Sequence, residues 1–133
     1  MAHIEPTILS MIRNRMNMKK VYIASPYTLG DTATNVRFQM DVFDELVKLG
    51  FVPYVPLYSH FQHMIHPITQ EEWMKLDFEW VKVCDYLLRL GGESAGADRE
   101  VTLAEKLGIP VFYSIKELCE FEMKIYNQKH KKT

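Results

Sequence analysis

Residues 86–113, YLLRLGGESAGADREVTLAEKLGIPVFY, hold the pattern that decides the fold. The stretch begins with a mostly apolar run at 86–90 that two glycines close, which is typical of a buried strand. Apolar residues at helical spacing over 97–107 predict a helix that ends at Gly108. A second β-prone run at 109–113 follows at once. Strand, helix and strand in this order indicate two parallel strands joined by a crossover helix.

The same alternation extends upstream and downstream of this stretch. It predicts strands at 21–24 and 51–55, and helices at 34–49, from Thr69 to about 84, and from 115 to about 128. Gly50 ends the first of these helices, Thr69 and Glu72 form a candidate capping box for the second, and Ser114 can cap the third. The prediction is an α/β fold: a three-layer α/β/α sandwich with a flavodoxin- or Rossmann-like parallel sheet of four to five strands.

Length and composition favour a single soluble domain. The chain has 133 residues, of which 47% are hydrophobic and 25% charged, and its net charge is −1. A nearly neutral chain has no overall field to hold a nucleic-acid polymer, and no apolar run approaches the length needed to cross a bilayer. We expect residues 18–133 to form one domain and 1–17, which carry no strand pattern, to be an extension, a short packing helix or an oligomer contact.

The two cysteines, Cys84 and Cys119, are far apart and belong to no Cys-x-x-Cys motif. This usage suits a reducing compartment, so we expect free thiols. The N-terminus also lacks the apolar core of a signal peptide. The sequence therefore predicts a cytoplasmic protein.

Two acids stand out because they fall on inward helix faces. Asp77 shares its face with Trp73, Val81 and Cys84, and Glu100 shares its face with apolar residues of the next helix. Glu100 also lies just after Gly96, in what we expect to be the first turn, where free amides and the helix dipole favour an ionised carboxylate. The alternatives are a capping acid in a structural network for Glu100, and for Asp77 a buried acid bonded to amides of a neighbouring loop.

Ligands of such sheets bind beyond the carboxyl ends of the strands, where the strand order reverses. That rule selects the loops 25–34, 55–68 and 91–99. The last of these contains Gly91-Gly92-Glu93-Ser94-Ala95-Gly96, a glycine-rich segment of the kind that presents backbone amides to anions. Loops of this composition also occur as simple turns.

These residues together resemble the nucleoside 2-deoxyribosyltransferase superfamily, which includes nucleoside 5′-monophosphate N-glycosidases. The similarity runs from about Lys20 to Ser114. It rests on Val-Tyr-Ile-Ala-Ser-Pro-Tyr at 21–27, on Trp73-x-x-x-Asp77 with Asp85 after it, and above all on Ser94-x-Gly96-x-x-x-Glu100. The resemblance implies that Glu100 attacks the anomeric carbon of a ribose or deoxyribose, that Asp77 assists proton transfer to the leaving base, and that Tyr22 orients Glu100.

The resemblance also implies that Ser25 and the 91–96 loop hold the 5′ end of the substrate. The predicted substrate-binding residues are Ser25, Tyr27, Gly91, Gly92, Ser94, Gly96, Arg99 and His60. Ser94 stands where the transferases have an aspartate that grips the 5′-hydroxyl and where the monophosphate hydrolases have a serine. A serine accepts a phosphate that an aspartate would repel. Since the first loop lacks the arginine of the hydrolases, a phosphate would depend on Arg99, Arg37 or backbone amides. The superfamily is also commonly oligomeric, which implies a dimer or tetramer.

His60, His63 and His66 follow one another at intervals of three in a segment that we expect to be a loop. This spacing matches no recognised zinc pattern, so we predict no metal and no cofactor. A loop that covers the substrate with one useful histidine, His60 or His66, is one alternative, and a plain surface loop is the other.

The sequence thus predicts an enzyme that cleaves the N-glycosidic bond of a nucleoside or its 5′-monophosphate, as a hydrolase or as a base-exchanging transferase. A phosphoribohydrolase or nicotinamide-nucleotide glycohydrolase is the nearest alternative. A nucleotide-binding regulatory module without turnover is a third. In each case the partner is a small nucleoside or nucleotide, with no nucleic-acid polymer and no membrane.

Overall fold

The computed structural model describes residues 18–130 and confirms an α/β fold. Its strands are β1 (Lys20–Ala24), β2 (Val52–Tyr54), β3 (Tyr86–Arg89) and β4 (Val111–Phe112). Its helices are α1 (Thr32–Lys48), α2 (Ser59–Ile65), α3 (Gln70–Val83), α4 (Ala95–Lys106) and α5 (Ile115–Lys129), with a single 3₁₀ turn, Pro56–Tyr58, before α2. The predicted extension 1–17 and the C-terminal residues 131–133 lie outside the described residues.

The four described strands form one parallel sheet in the order β2-β1-β3-β4. Tyr22 in β1 lies between Tyr54 in β2 and Leu87 in β3, and Leu88 pairs with Phe112 in β4. The chain leaves β1 towards β2 on one side and returns to β3 on the other, so the strand order reverses between β1 and β3. A ligand site is expected at the carboxyl ends of these two strands.

Alternate residues of β1 serve the two faces of the sheet, as the pleat requires. Val21 and Ile23 belong to a core with α1 and α5, to which Leu46 and Leu118 contribute. Tyr22 and Ala24 belong to a second core on the opposite face, which also contains Val81, Ala97, Val101 and Ala104 from α3 and α4. Two helices on each face of the sheet make the three predicted layers.

The helix boundaries follow the predicted caps closely. The side chain of Thr69 accepts a hydrogen bond from the amide of Glu72, and the Glu72 carboxylate accepts one from the amide of Thr69, which completes the capping box. Ser114 caps α5 in the same way through the amide of Glu117. Cys84 and Cys119 are free, as predicted, and both are buried. No helix within residues 18–130 is long and apolar enough to span a membrane.

The expectation of an irregular loop over 55–68 was wrong. The 3₁₀ turn and α2 occupy most of this segment, with His60 and His63 on α2 and His66 at its C-terminal end. Phe61, Met64 and Ile65 have helical spacing, but the helix is only seven residues long and none of its residues is buried.

Candidate active site

A cavity of ≈ 770 Å³ lies where the strand order reverses. Its walls come from the segment after β1, the 3₁₀ turn and α2 after β2, the inner face of α3, and the start of α4. Apart from α3, these walls belong to the loops that the sheet topology selected, 25–34, 55–68 and 91–99. Of the predicted site residues, the cavity is lined by Ser25, Tyr27, Asp77, Ser94, Gly96 and Glu100.

Glu100 forms the buried end of this cavity, with 5% of its surface exposed. Burial raises the pKa of its carboxyl group from 4.5 to about 8. The hydrogen bond from Tyr22 opposes this rise, the charge of Asp77 adds to it, and the charge of Arg89 opposes it. The carboxyl group therefore holds a proton more tightly than a carboxyl in water does.

The prediction that free amides of the first helical turn keep Glu100 ionised was wrong. Helix α4 begins at Ala95, two residues earlier than expected, so Glu100 is its sixth residue and lies in the second turn. Ser94 caps the helix instead, because its Oγ accepts a hydrogen bond from the amide of Ala97 at 3.1 Å. Desolvation dominates the pKa of Glu100 as a result.

Tyr22 donates a hydrogen bond from its hydroxyl group to Oε2 of Glu100. The tyrosine is fully buried in β1, directly behind the glutamate. Burial and the charges of Glu100 and Asp77 raise the pKa of the phenol well above its usual value. Tyr22 therefore remains a donor at all working pH values and holds the carboxylate in one orientation.

Asp77 lines the same cavity from α3, and burial raises the pKa of its carboxyl group from 3.8 to about 6. Within residues 18–130 the structure gives it no ion pair and no hydrogen bond from a loop amide. The alternative of a structural acid bonded to loop amides is not what the structure contains. Two carboxyl groups with raised pKa values thus face one enclosed space, an arrangement that is common at catalytic sites.

Gln39 is a residue of the site that the sequence pattern did not single out. It is buried in α1, and its Nε2 donates to Ser25 Oγ at 2.8 Å and to the carbonyl of Ile23 at 3.2 Å. Its Oε1 accepts from the amide of Leu57 at 3.1 Å. Gln39 therefore joins the end of β1 to the 3₁₀ turn, and it leaves the Ser25 hydroxyl free to donate into the cavity. The sequence contained one indication of this role: Gln39 is a polar residue on the helix face of Val36, Val42 and Leu46, which are buried.

Gly91 and Gly92 do not line this cavity. Gly91 has a φ of +77° and lies so close to Pro26 that an added Cβ would be 2.7 Å from the proline Cδ. Arg89 donates to the carbonyl of Leu90 at 2.6 Å and to that of Gly92 at 2.8 Å, so its guanidinium holds the loop from within. The two glycines bring the ends of β1 and β3 together.

Arg99 and His60 also lie off the cavity. Arg99 forms a double hydrogen bond with Glu71, at 2.7 and 3.1 Å, and lies over the ring of Phe78. Nδ1 of His60 is hydrogen-bonded to the hydroxyl of Tyr27 at 2.6 Å, so this histidine supports a lining residue. His63, which was not favoured, lines the cavity and accepts from the indole of Trp73 at 2.8 Å.

Acidic residues outnumber basic ones in the lining of the cavity. Four acidic residues line the cavity, and within residues 18–130 no lysine or arginine does. The acidic residues are Asp77, Glu93, Asp98 and Glu100. The described residues also contain no group of three His, Cys, Asp or Glu side chains that could hold a metal ion.

Fold and site define a Rossmann-like α/β protein with paired carboxyl groups in a cavity at the switch point of its sheet. The chain belongs to the DUF7768 family, a domain of unknown function, whose sequence model matches residues 19–114. None of the curated proteins matches the chain. A solved structure of a 2-deoxyribosyltransferase from the psychrotolerant bacterium Bacillus psychrosaccharolyticus is similar, with a TM-score of 0.48 and 24% sequence identity over 69% of each chain.

Proposed function

We propose that the protein cleaves the N-glycosidic bond of nucleosides through Glu100, as a hydrolase or as a base-exchanging transferase. The observation that carries this proposal is the pair formed by Glu100 and Asp77, two carboxyl groups with raised pKa values in one cavity. Cleavage of a glycosidic bond passes through an oxocarbenium-like state, which needs an anion beside the anomeric carbon and an acid for the leaving group. The pair supplies both.

In the first step, a carboxylate oxygen of Glu100 forms a bond to C1′ of the sugar. The C1′–N bond breaks, its electron pair goes to the base, and Asp77 gives the base a proton. In the second step, water or a nitrogen of another base attacks C1′ and loses a proton to Asp77, and the Glu100 carboxylate leaves. Tyr22 is a positioning residue, because it contacts Glu100 from the buried side.

The charge of the cavity favours an uncharged nucleoside over its 5′-monophosphate. A phosphate would meet four acidic residues, while Arg99 is paired with Glu71 and Arg89 with loop carbonyls and Asp98. An unpaired anion in such surroundings is unfavourable. We therefore propose that Ser94 and Ser25 bind a sugar hydroxyl group, which revises the phosphate role that the sequence suggested for Ser94.

The test is release of free base, measured by chromatography, from ribo- and deoxyribonucleosides and their 5′-monophosphates, with and without a second base. We expect release from nucleosides, and a fall on the order of 10⁴-fold or more in Glu100→Gln. Glu105→Gln, an exposed acid on the same helix, is the matched control and should retain full activity. Nucleoside binding with no release by folded wild-type protein would contradict the proposal and favour a binding module.

A further inference from the structure

His63 has one ring nitrogen committed to the protein and one that the described residues leave available. Nδ1 accepts the indole N–H of Trp73 at 2.8 Å and, at a longer 3.4 Å, the amide of Ile68. Nε2 has no hydrogen-bond partner within residues 18–130, and His63, Trp73 and Ile68 all line the cavity. The histidine is therefore attached to the wall of the site through one edge of its ring.

The two groups that meet at Nδ1 decide where the ring carries its proton. An indole N–H and a backbone N–H can only donate, so Nδ1 must be the unprotonated acceptor. The neutral ring then has its proton on Nε2. The bond from Trp73 thus turns His63 into a donor of fixed orientation, with nothing in residues 18–130 to receive its hydrogen.

The position of this donor relative to the carboxyl pair follows from α3. Trp73 and Asp77 are four residues apart on one face of that helix, which places them about 6 Å apart along its axis. If the anomeric carbon lies at Asp77 and Glu100, the space beside Trp73 and His63 is one helical turn away from it. A base attached to that carbon has to extend either into this space or out of the cavity.

We propose that Nε2 of His63 donates a hydrogen bond to an acceptor atom on the base of the nucleoside, and that Trp73 positions His63 for this contact. The inference rests on the proposed function and adds to it the substrate feature that the site selects. That feature is a ring nitrogen on the base edge facing α2. Bases without an acceptor there leave the N–H of a half-buried histidine unpaired, which is a basis for discrimination.

The experiment uses the full chain carrying Glu100→Gln, so that binding is measured without turnover. Titration calorimetry compares purine nucleosides with their 1-deaza, 3-deaza and 7-deaza analogues, in which one acceptor nitrogen is replaced by carbon. We expect one analogue to bind about tenfold more weakly than its parent. Adding His63→Phe should weaken the parent by about the same factor and remove the difference between parent and analogue.

Two further variants separate contact with the base from a structural effect. Gln62→Phe lies on the same helix, is exposed and off the cavity, and should leave both affinities unchanged. His63→Gln retains an acceptor for Trp73 and a donor for the base, and should recover part of the discrimination. Long-range ¹H–¹⁵N NMR should show His63 as the Nε2–H tautomer, with an Nε2 resonance that moves on addition of nucleoside, and Trp73→Phe should abolish the tautomer preference.

The outcomes distinguish this inference from the proposed function. Nucleoside binding that is equal for all analogues, or unchanged by His63→Phe, overturns the role of His63 and leaves base release by the wild type unaffected. Failure of every nucleoside to bind, together with no base release, overturns both. Discrimination that is lost with His63→Phe and partly recovered with His63→Gln supports the inference.

Discussion

A carboxyl group that is 5% exposed and has a phenol as its hydrogen-bond donor titrates unlike one in water. The pKa values of Glu100, about 8, and Asp77, about 6, place both titrations within the range in which enzymes are assayed. Because the two charges interact, the protons leave the pair in two steps that belong to the pair as a whole. Near neutral pH the pair holds one proton, and this proton lies mainly on Glu100, which has the higher pKa. Cleavage uses the minor form of the same pair, in which Asp77 holds the proton and Glu100 is ionised.

We therefore predict a bell-shaped dependence of kcat/KM on pH, rising through about 6 and falling through about 8. Below the first limb both carboxyl groups are protonated, so Glu100 cannot attack; above the second limb both are ionised, so no acid remains for the leaving base. Initial rates of base release between pH 4.5 and 9.5 check this prediction.

Asp77→Asn tests the assignment of the two limbs. The rate should fall about 10²- to 10⁴-fold, and the descending limb should disappear. The remaining limb should have its midpoint below about 8, because the charge of Asp77 contributes to the raised pKa of Glu100. A descending limb that persists in this variant would assign the acid to another group.

Helical spacing alone identified Asp77 and Glu100, since a charge on an inward face is visible in a sequence. The ionisation of Glu100 was not predictable in this way, because it depends on a helix start two residues earlier than expected and on its depth in the core. The contacts of His63 and Gln39 were not predicted from the sequence. Their partners, Trp73 and Ser25, lie 10 and 14 residues away along the chain. The pairing of Arg99 was not predictable for the same reason, because its partner, Glu71, is 28 residues away.

Among the elements, α3 is the helix whose N-terminal cap matters most for the site, because this helix carries both Trp73 and Asp77. Thr69→Ala removes the side chain that accepts from the amide of Glu72, and should lower the free energy of unfolding by about 1 kcal/mol. Urea titration followed by circular dichroism measures the change.

Thr69→Ser keeps the accepting hydroxyl and should remain within about 0.5 kcal/mol of the wild type. Thr102→Ala is the matched control: this exposed threonine lies inside α4, and its hydroxyl only donates back to the carbonyl of Asp98. A loss in Thr102→Ala equal to that in Thr69→Ala would refute the capping explanation.

The loop after β3 offers a second test at this scale through two adjacent glycines. Gly91→Ala forces a side chain into the left-handed region and to within 2.7 Å of Pro26, and should cost roughly 2 kcal/mol or more. Gly92→Ala meets nothing within 4 Å and should stay within about 0.5 kcal/mol of the wild type. Thermal unfolding of the pair of variants checks this, and equal losses would show that the approach to Pro26 is not limiting.

The elements that the sequence predicted well are those with a buried stripe and a recognisable cap, such as α3 with Thr69 and α5 with Ser114. Helix α2 has neither. Its large apolar residues Phe61, Met64 and Ile65 are exposed, and no side-chain cap begins it. Its existence depends on the surrounding chain more than on its own pattern.

For the whole molecule, the raised pKa of Glu100 makes stability depend on pH. The folded state binds this proton more tightly than the unfolded state, so the stabilising effect is complete below about 4.5 and is lost as pH rises to about 8. Glu100→Gln removes the buried charge. We predict that this variant is more stable than the wild type at pH 8.5, by on the order of a few kcal/mol, and that the difference becomes small at pH 5.

Denaturant titrations of both proteins at the two pH values measure this effect. Glu105→Gln, whose side chain is exposed, should follow the wild type at both. A pH-independent difference between Glu100→Gln and the wild type would mean that the carboxyl group is not protonated in the folded state.

Strand and helix order, and hence the parallel sheet, followed from apolar runs alternating with amphipathic stretches. The sheet order β2-β1-β3-β4 was not contained in that pattern, because it depends on which face each crossover helix covers. The closeness of Gly91 to Pro26 is one result of that order, since it needs β1 and β3 to be neighbours.

The described edge strands have a consequence for association between molecules. Strand β4 has two residues and β2 has three, and the middle residue of β2 is Pro53, which has no N–H to offer an incoming strand. Short edges and proline both oppose intermolecular strand addition, a common route to aggregation. Contacts between copies of this chain should therefore form through helices and side chains, and should not add a strand of one copy to the sheet of another.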